Sequence, residues 1–329
     1  FLIFFSLSIS VAEEEYIFSY GLNTGPNLIS FPIITENNDI ELFFTSENIN
    51  LLSNSNVNEN ISFVIGEGEF SFSDNNDWNG SLNFINEDQG YWIIADEPTN
   101  FIYVGNSLSQ NLYFLHPGAN LISYPFDTGQ DAGNSLNFLP ENLIYAIVGQ
   151  NEALLSINGS WYGSLNTFMP GKGYWFIVDD FTPFQYNQPV NSFSSSTSVS
   201  TADYNDLSYS QSILQSIFFI ESIYISGDEN TDEILLELIC NDLVVGQKIW
   251  NSNFSDIIAM GNDGFEHTEN YCENNQEIKI TSNNLENSFY FLRGDNIWQP
   301  NSFSINIISD CDFGDLNYSK SINITDLII

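Results

Sequence analysis

Six oxygen-bearing side chains near the end of the chain carry its most specific chemistry. Asp315, Asn317, Ser319, Ser321, Asn323 and Asp326 fall on positions 1, 3, 5, 7, 9 and 12 of one run. Oxygen ligands at alternate positions let a loop wrap one hard cation such as calcium, and an acid at the twelfth closes the shell from a following helix. Two residues weaken this loop. Ser319 withholds the charge a carboxylate would supply, and Lys320 puts a positive charge and a side chain where the loop turns most sharply. A calcium loop of lowered affinity and a loop that has lost calcium are both open readings.

Aromatic side chains form the second chemical feature. Trp78, Trp92, Trp161, Trp175, Tyr91 and Tyr174 could stack on the apolar C–H faces of sugar rings. The competing reading places them in the core of small β-domains, where large rings supply much of the buried area. Their repeated apolar surroundings favour the core. Trp161 and Tyr162, beside the polar turn Asn158-Gly159-Ser160, are the candidates for an exposed binding platform.

Catalytic constellations are weak. The two histidines, His116 and His267, sit in different segments, and G-x-S-x-G is absent. A glycosidase needs two carboxylates held roughly 5 to 10 Å apart. Glu69 and Glu152 are the first pair to test, but their equivalent repeat positions argue for structural roles. No catalytic residue is assigned.

Composition narrows the partners. Against 43 acidic residues stand 5 basic ones, a net charge of -38. That surface repels phosphate backbones and anionic membranes, so nucleic acid is excluded as a partner. A hydrophobic fraction of 43% in 329 residues supports several packed cores. Acidic turns at Asp228-Glu229-Asn230, Asp232-Glu233 and Asn262-Asp263-Gly264 read as solvated loops, with calcium binding the alternative. Three cysteines lack C-x-x-C spacing, which disfavours zinc. Either Cys240 pairs with Cys272, leaving Cys311 odd, or all three are buried thiols.

These residues are positioned by a duplication. Trp78-Asn79-Gly80-Ser81-Leu82 and Gly90-Tyr91-Trp92 return 83 positions later as Trp161-Tyr162-Gly163-Ser164-Leu165 and Gly173-Tyr174-Trp175. Each copy opens with a related strand, Gly25-Pro26-Asn27-Leu28-Ile29-Ser30-Phe31-Pro32 and Gly118-Ala119-Asn120-Leu121-Ile122-Ser123-Tyr124-Pro125, at an offset of 93. The first copy therefore holds ten extra residues, around Leu52 to Asn60, expected on a surface loop. Glu69 and Glu152 correspond, whereas Glu67 is matched by Gln150. Short alternating runs between Gly, Asn, Asp and Pro predict strands throughout, with a short helix near Asp39 to Phe44.

The expected fold class is all-β and multidomain. Residues 1–12 read as a signal peptide remnant, because an apolar run ends in Ser10-Val11-Ala12. Residues 17–107 and 110–190 are β repeats, 191–212 a Ser-rich linker, and 213–309 a β-sandwich with Asn241-Asp242 as a hairpin turn. Residues 311–329 end in a short loop-helix tail. No run is long enough for a transmembrane helix.

Two resemblances extend this reading. The tail resembles the first half of a dockerin, D-x-N-x-D-G-x-I-N-x-x-D, through Asp315, Asn317, Ile322, Asn323 and Asp326. That implies calcium and a cohesin-like protein partner, in secreted systems that often handle polysaccharide. Val244-Val245-Gly246, Trp250 and Met260-Gly261-Asn262-Asp263-Gly264 resemble a β-sandwich module of marine bacterial surface proteins. The family's cysteine position falls on Val244, so no family disulfide carries over. The whole chain is similar to modular secreted surface proteins with G-x-N-L-I-S-[FY]-P and P-G-x-G-Y-W repeats. The expectation is a non-catalytic extracellular binding or structural protein that contacts polysaccharide. The rivals are an accessory chain or glycoside hydrolase of polysaccharide degradation, and a structural cell-surface layer component.

Overall fold

The computed structural model describes residues 16–34, 37–44, 49–51, 60–75, 77–105, 107–108, 111–136, 143–190, 196–200, 208–225, 233–251, 253–282 and 288–311. The signal remnant expected at 1–12, the six tail ligands from Asp315 to Asp326 and most of the inserted loop lie outside these residues. The described chain is nearly all β, built as several small, mainly antiparallel sheets. Its α-helices are single turns, at Ile40–Phe43 and Ala132–Leu136. The first is capped by Asp39, whose carboxylate accepts from Glu41 N.

Both sequence repeats form a five-stranded sheet with the same strand order. In the first, the order is Gly25–Ser30, Gly90–Ala95, Ile61–Ile65, Phe70–Asp74, Asp77–Gly80. In the second, it is Gly118–Ser123, Gly173–Val178, Ile144–Val148, Ala153–Ile157, Ser160–Gly163. The Gly-Tyr-Trp strand thus has a partner on each side in both sheets. Because successive side chains alternate faces, Tyr91 and Tyr174 enter the cores of their own repeats while the tryptophans face the other way. The phenol oxygens accept from Asn86 N (2.7 Å) and Met169 N (2.9 Å), again equivalent positions. Fully burying such a ring stabilises by roughly 1.5–3 kcal/mol.

The repeats join back to back through a pseudo-two-fold set of contacts. Ser30 N donates to Gly171 O (2.8 Å), and the equivalent Ser123 N donates to Asp88 O (3.0 Å). Ile29 bridges Lys172, as Ile122 bridges Gln89. Leu28 N donates to Gln150 Oε1 (3.0 Å), and Leu121 N to Glu67 Oε2 (2.9 Å). The Glu67/Gln150 difference is accommodated within this clasp. Gln150 Nε2 donates to Pro26 O (3.1 Å), while the second Glu67 oxygen pairs with His116. Leu28, Trp92 and Leu121 form a small core at the seam, with Trp175 half-buried against it.

Glycine is required where the sheets touch. A Cβ on Gly90 would lie 2.8 Å from Leu121 Cδ1 and 3.0 Å from Gly173 Cα; one on Gly173 would lie 2.9 Å from Ile29 O. The Gly of Gly-Tyr-Trp therefore permits the close approach that lets the two copies share hydrogen bonds.

Ser196–Ser200, inside the stretch expected as a linker, forms a strand parallel to Tyr16–Leu22. Its Val199 is buried against Gly171, where a Cβ would come within 2.4 Å of Val199 Cγ2. This segment therefore touches both repeats.

The C-terminal unit sets a four-stranded sheet, in the order Ser255–Met260, Gln215–Tyr224, Phe303–Ser309, Tyr290–Arg293, against a three-stranded one made of Leu243–Trp250, Ile234–Cys240 and Lys279–Ser282. A disulfide joins Cys240 to Cys272. Cys311 is buried outside that bond, its thiol donating to Asp310 Oδ1. Trp298 fills the core and donates its indole N–H to Ala259 O (3.1 Å). Ala146, Val148, Ala153 and Leu155 of the second repeat belong to the same core. The second repeat is therefore sandwiched, with one face on its own aromatics and the other on the C-terminal unit.

Candidate functional site

A cleft of about 650 Å³ lies where the first repeat meets the C-terminal unit. A short 3₁₀ turn, Glu266–Thr268, builds one wall. Its anchor is the fully buried Thr268, whose hydroxyl donates to Asp263 Oδ1 and lies 3.1 Å from Phe265 O. Asp263 also accepts from Ile213 N (3.0 Å) and Phe265 N (3.2 Å). The carboxylate suggested as a calcium ligand in the Asn262-Asp263-Gly264 turn thus holds the turn's own backbone.

The anchored turn presents two rings. Phe265 stacks on His267 at 5.8 Å and meets Phe63 of the first repeat edge-on at 5.3 Å. Gly25 adopts φ 87, a left-handed conformation that favours glycine, and a Cβ there would make only ordinary contact, 3.7 Å from His267 Nε2. Ile94, Ala95, Tyr209 and Tyr271 line the cleft as well, with Asn23, Asp96 and Glu266 among its polar groups. Gln211, also lining it, is buried, and its Oε1 has no hydrogen-bond partner among the described residues. The site offers half-buried aromatic faces and two exposed carboxylates.

Trp161 and Tyr162, expected to form a platform, lie on the opposite side of the seam at the second repeat's edge strand. Trp161 packs half-buried against the second repeat's core. Tyr162 is 39% exposed, with one edge against Phe254 at 5.1 Å. Beside it, Ser164 donates from both N and Oγ to the fully buried Asp256. These contacts dock the strand on the C-terminal unit. Trp78 is buried against Phe44, and Trp92 lies in the seam core.

Glu69 and Glu152 sit in the hairpin turns of separate sheets and share no hydrogen bond or ion pair among the described residues. Burial pushes the Glu152 carboxyl up to about 7; Lys172 and Lys248 oppose that shift and Asp256 adds to it. Burial in turn lowers Lys172 to about 8, with Glu152 opposing. His116 is raised by hydrogen bonds to Pro117 O and Glu67. Sequence reasoning missed the cleft because its walls are far apart in the chain. His267 was noted only as one of two histidines, and nothing in its neighbours marks it as facing Phe63.

No protein-family model and no curated protein matches the chain. Among the described residues, no helix is long and apolar enough to cross a membrane.

Proposed function

We propose that this is a non-catalytic extracellular binding protein that holds polysaccharide in the cleft between the first repeat and the C-terminal unit. The tail, from Asp315 to Asp326, docks it through a calcium-dependent, dockerin-like contact with a cohesin-like partner. The observation carrying the reading is the edge-on pairing of Phe63 and Phe265 in the wall of the cleft, with Asp96 and Glu266 beside it. Rings stack on the apolar faces of sugars, and their hydroxyls donate to carboxylate and amide oxygens. Asp96 and Glu266 at the mouth, within a chain of net charge -38, select neutral or amino sugars over sulfated or uronic ones.

A glycan array of neutral, amine-bearing and sulfated oligosaccharides tests this. Binding confined to the first two classes, weakened about tenfold by Phe265→Ala, a change of about 1.4 kcal/mol, supports it. Silence across the array overturns it in favour of a purely structural role. For the tail, millimolar calcium should raise the melting temperature of the intact chain, and an Asp315→Ala, Asp326→Ala double variant should lose the shift. An unchanged melting temperature in the native chain removes the calcium half of the proposal.

A further inference from the structure

The turn after Ile61–Ile65 carries Glu67 across the seam, where its carboxylate makes two contacts with the second repeat. Oε2 accepts from Leu121 N (2.9 Å), and Oε1 meets His116 Nε2. The other ring nitrogen, Nδ1, lies 2.9 Å from Pro117 O. Both nitrogens of this imidazole therefore face acceptors. A neutral imidazole has one N–H and satisfies one of them, while its other nitrogen turns a lone pair towards an oxygen. The doubly protonated ring satisfies both. The same backbone recurs in the first repeat. His116 N and O bond the Asn120 side chain as Asn23 N and O bond that of Asn27. There Asn23 stands in place of His116, and Gln150 in place of Glu67, and neither titrates. The clasp on Leu28 N is neutral, and the clasp on Leu121 N is ionisable.

We propose that protonation of His116 locks Glu67 onto the second repeat, making one side of the seam a pH-sensitive clasp that its Gln150 counterpart is not. Charged, the ring holds Oε1, and Oε2 stays on Leu121 N. Uncharged, with its proton on Nδ1, the ring repels Oε1; the carboxylate swings into water and Leu121 N loses its acceptor. Water reaches the pair, because the two side chains are 48% and 31% exposed. Pro117 O first, and Glu67 second, raise the ring's hold on its proton above that of an ordinary histidine. The clasp is therefore fully formed below the ordinary histidine range and is lost as pH rises through the folded value. Other charged groups stand near. Glu69 lies across the same turn, and Asp179 and Asp180 follow the adjoining strand Gly173–Val178; among the described residues the ion pair of His116 is with Glu67. Glu152 and Lys172 lie at the opposite clasp, in the turn with Gln150 and in the bridge to Ile29. The proposal does not depend on the polysaccharide reading.

Amide hydrogen exchange, read by NMR on the intact chain, tests this because Leu28 and Leu121 are matched probes. Each sits between asparagine and isoleucine, so the intrinsic chemistry of exchange cancels in their ratio. Protection of Leu121 relative to Leu28 should be about threefold higher near pH 5.5 than near pH 8.5, roughly the scale of a partly exposed ion pair. Its midpoint should coincide with the titration of the His116 ring protons. Glu67→Gln, which installs the residue of the other clasp, should keep Leu121 protected, remove the pH dependence and lower the His116 midpoint. His116→Asn should remove the dependence as well. Circular dichroism checks that both variants fold; should Glu67→Gln fail, His116→Asn decides. A ratio that does not change with pH overturns the proposal. So does a dependence undiminished in folded His116→Asn, which would belong to Glu152 and Lys172. A His116 midpoint unmoved by Glu67→Gln overturns it equally.

Discussion

Replacing Gly173 by alanine tests whether the two repeats are one unit. The added methyl would sit 2.9 Å from Ile29 O and 3.1 Å from Gly90 Cα, both backbone atoms that cannot rotate aside. Either the seam opens or the strands shift, and overpacking of this kind costs about 1–3 kcal/mol. The upper half of that range is expected, because the cross-repeat hydrogen bonds at Ser30 and Ser123 strain together. Gly90→Ala should cost less, about 1 kcal/mol, since its nearest obstacle is the Leu121 side chain, which can change rotamer. The double variant should cost less than the sum by at least about 0.5 kcal/mol, because the first methyl already separates the sheets. Urea unfolding followed by tryptophan fluorescence measures all three. A neutral Gly173→Ala, or strict additivity of the pair, would refute the argument that these glycines share one contact.

Two further outcomes follow from buried groups. Glu152 titrates near 7 in the folded chain against an ordinary 4.5, so the folded state holds more protons in that window. Stability should therefore fall by up to about 3 kcal/mol as pH rises from 4.5 to 7, and Glu152→Gln should flatten that slope in a pH series of urea titrations. Lys172, lowered from 10.5 to about 8, acts in the opposite sense and should return stability as pH climbs from 8 towards 10.5. The Cys240–Cys272 bond spans a sequence separation of 32. Cys272→Ser should destabilise the C-terminal unit by about 3–4 kcal/mol in the chain-entropy account, read as a lower urea midpoint that reducing agent no longer changes.

The chain's sequence determined what local periodicity can carry. The strand-rich class, the equivalence of the two Gly-Tyr-Trp strands and the helical turn after Asp39 all follow from alternation, turn residues and caps, which act within a few residues. The same patterning marked Trp78 as core more than platform. What tertiary structure alone decided depends on atoms distant in sequence. The glycine of Gly-Tyr-Trp reads as a turn signal until Gly90 and Gly173 are seen in contact. The Glu67/Gln150 exchange looks like a difference in ligand contact until both side chains are found clasping the opposite repeat. Residues 196–200 have the composition of a linker, yet form a strand, because backbone pairing asks little of side chains. The aromatic cleft joins Phe63 to Phe265, and the ionisable clasp joins Glu67 to His116. No spacing rule links residues so far apart. Such sites exist only once the seam between the repeats, set by two missing methyl groups, has fixed which faces remain uncovered.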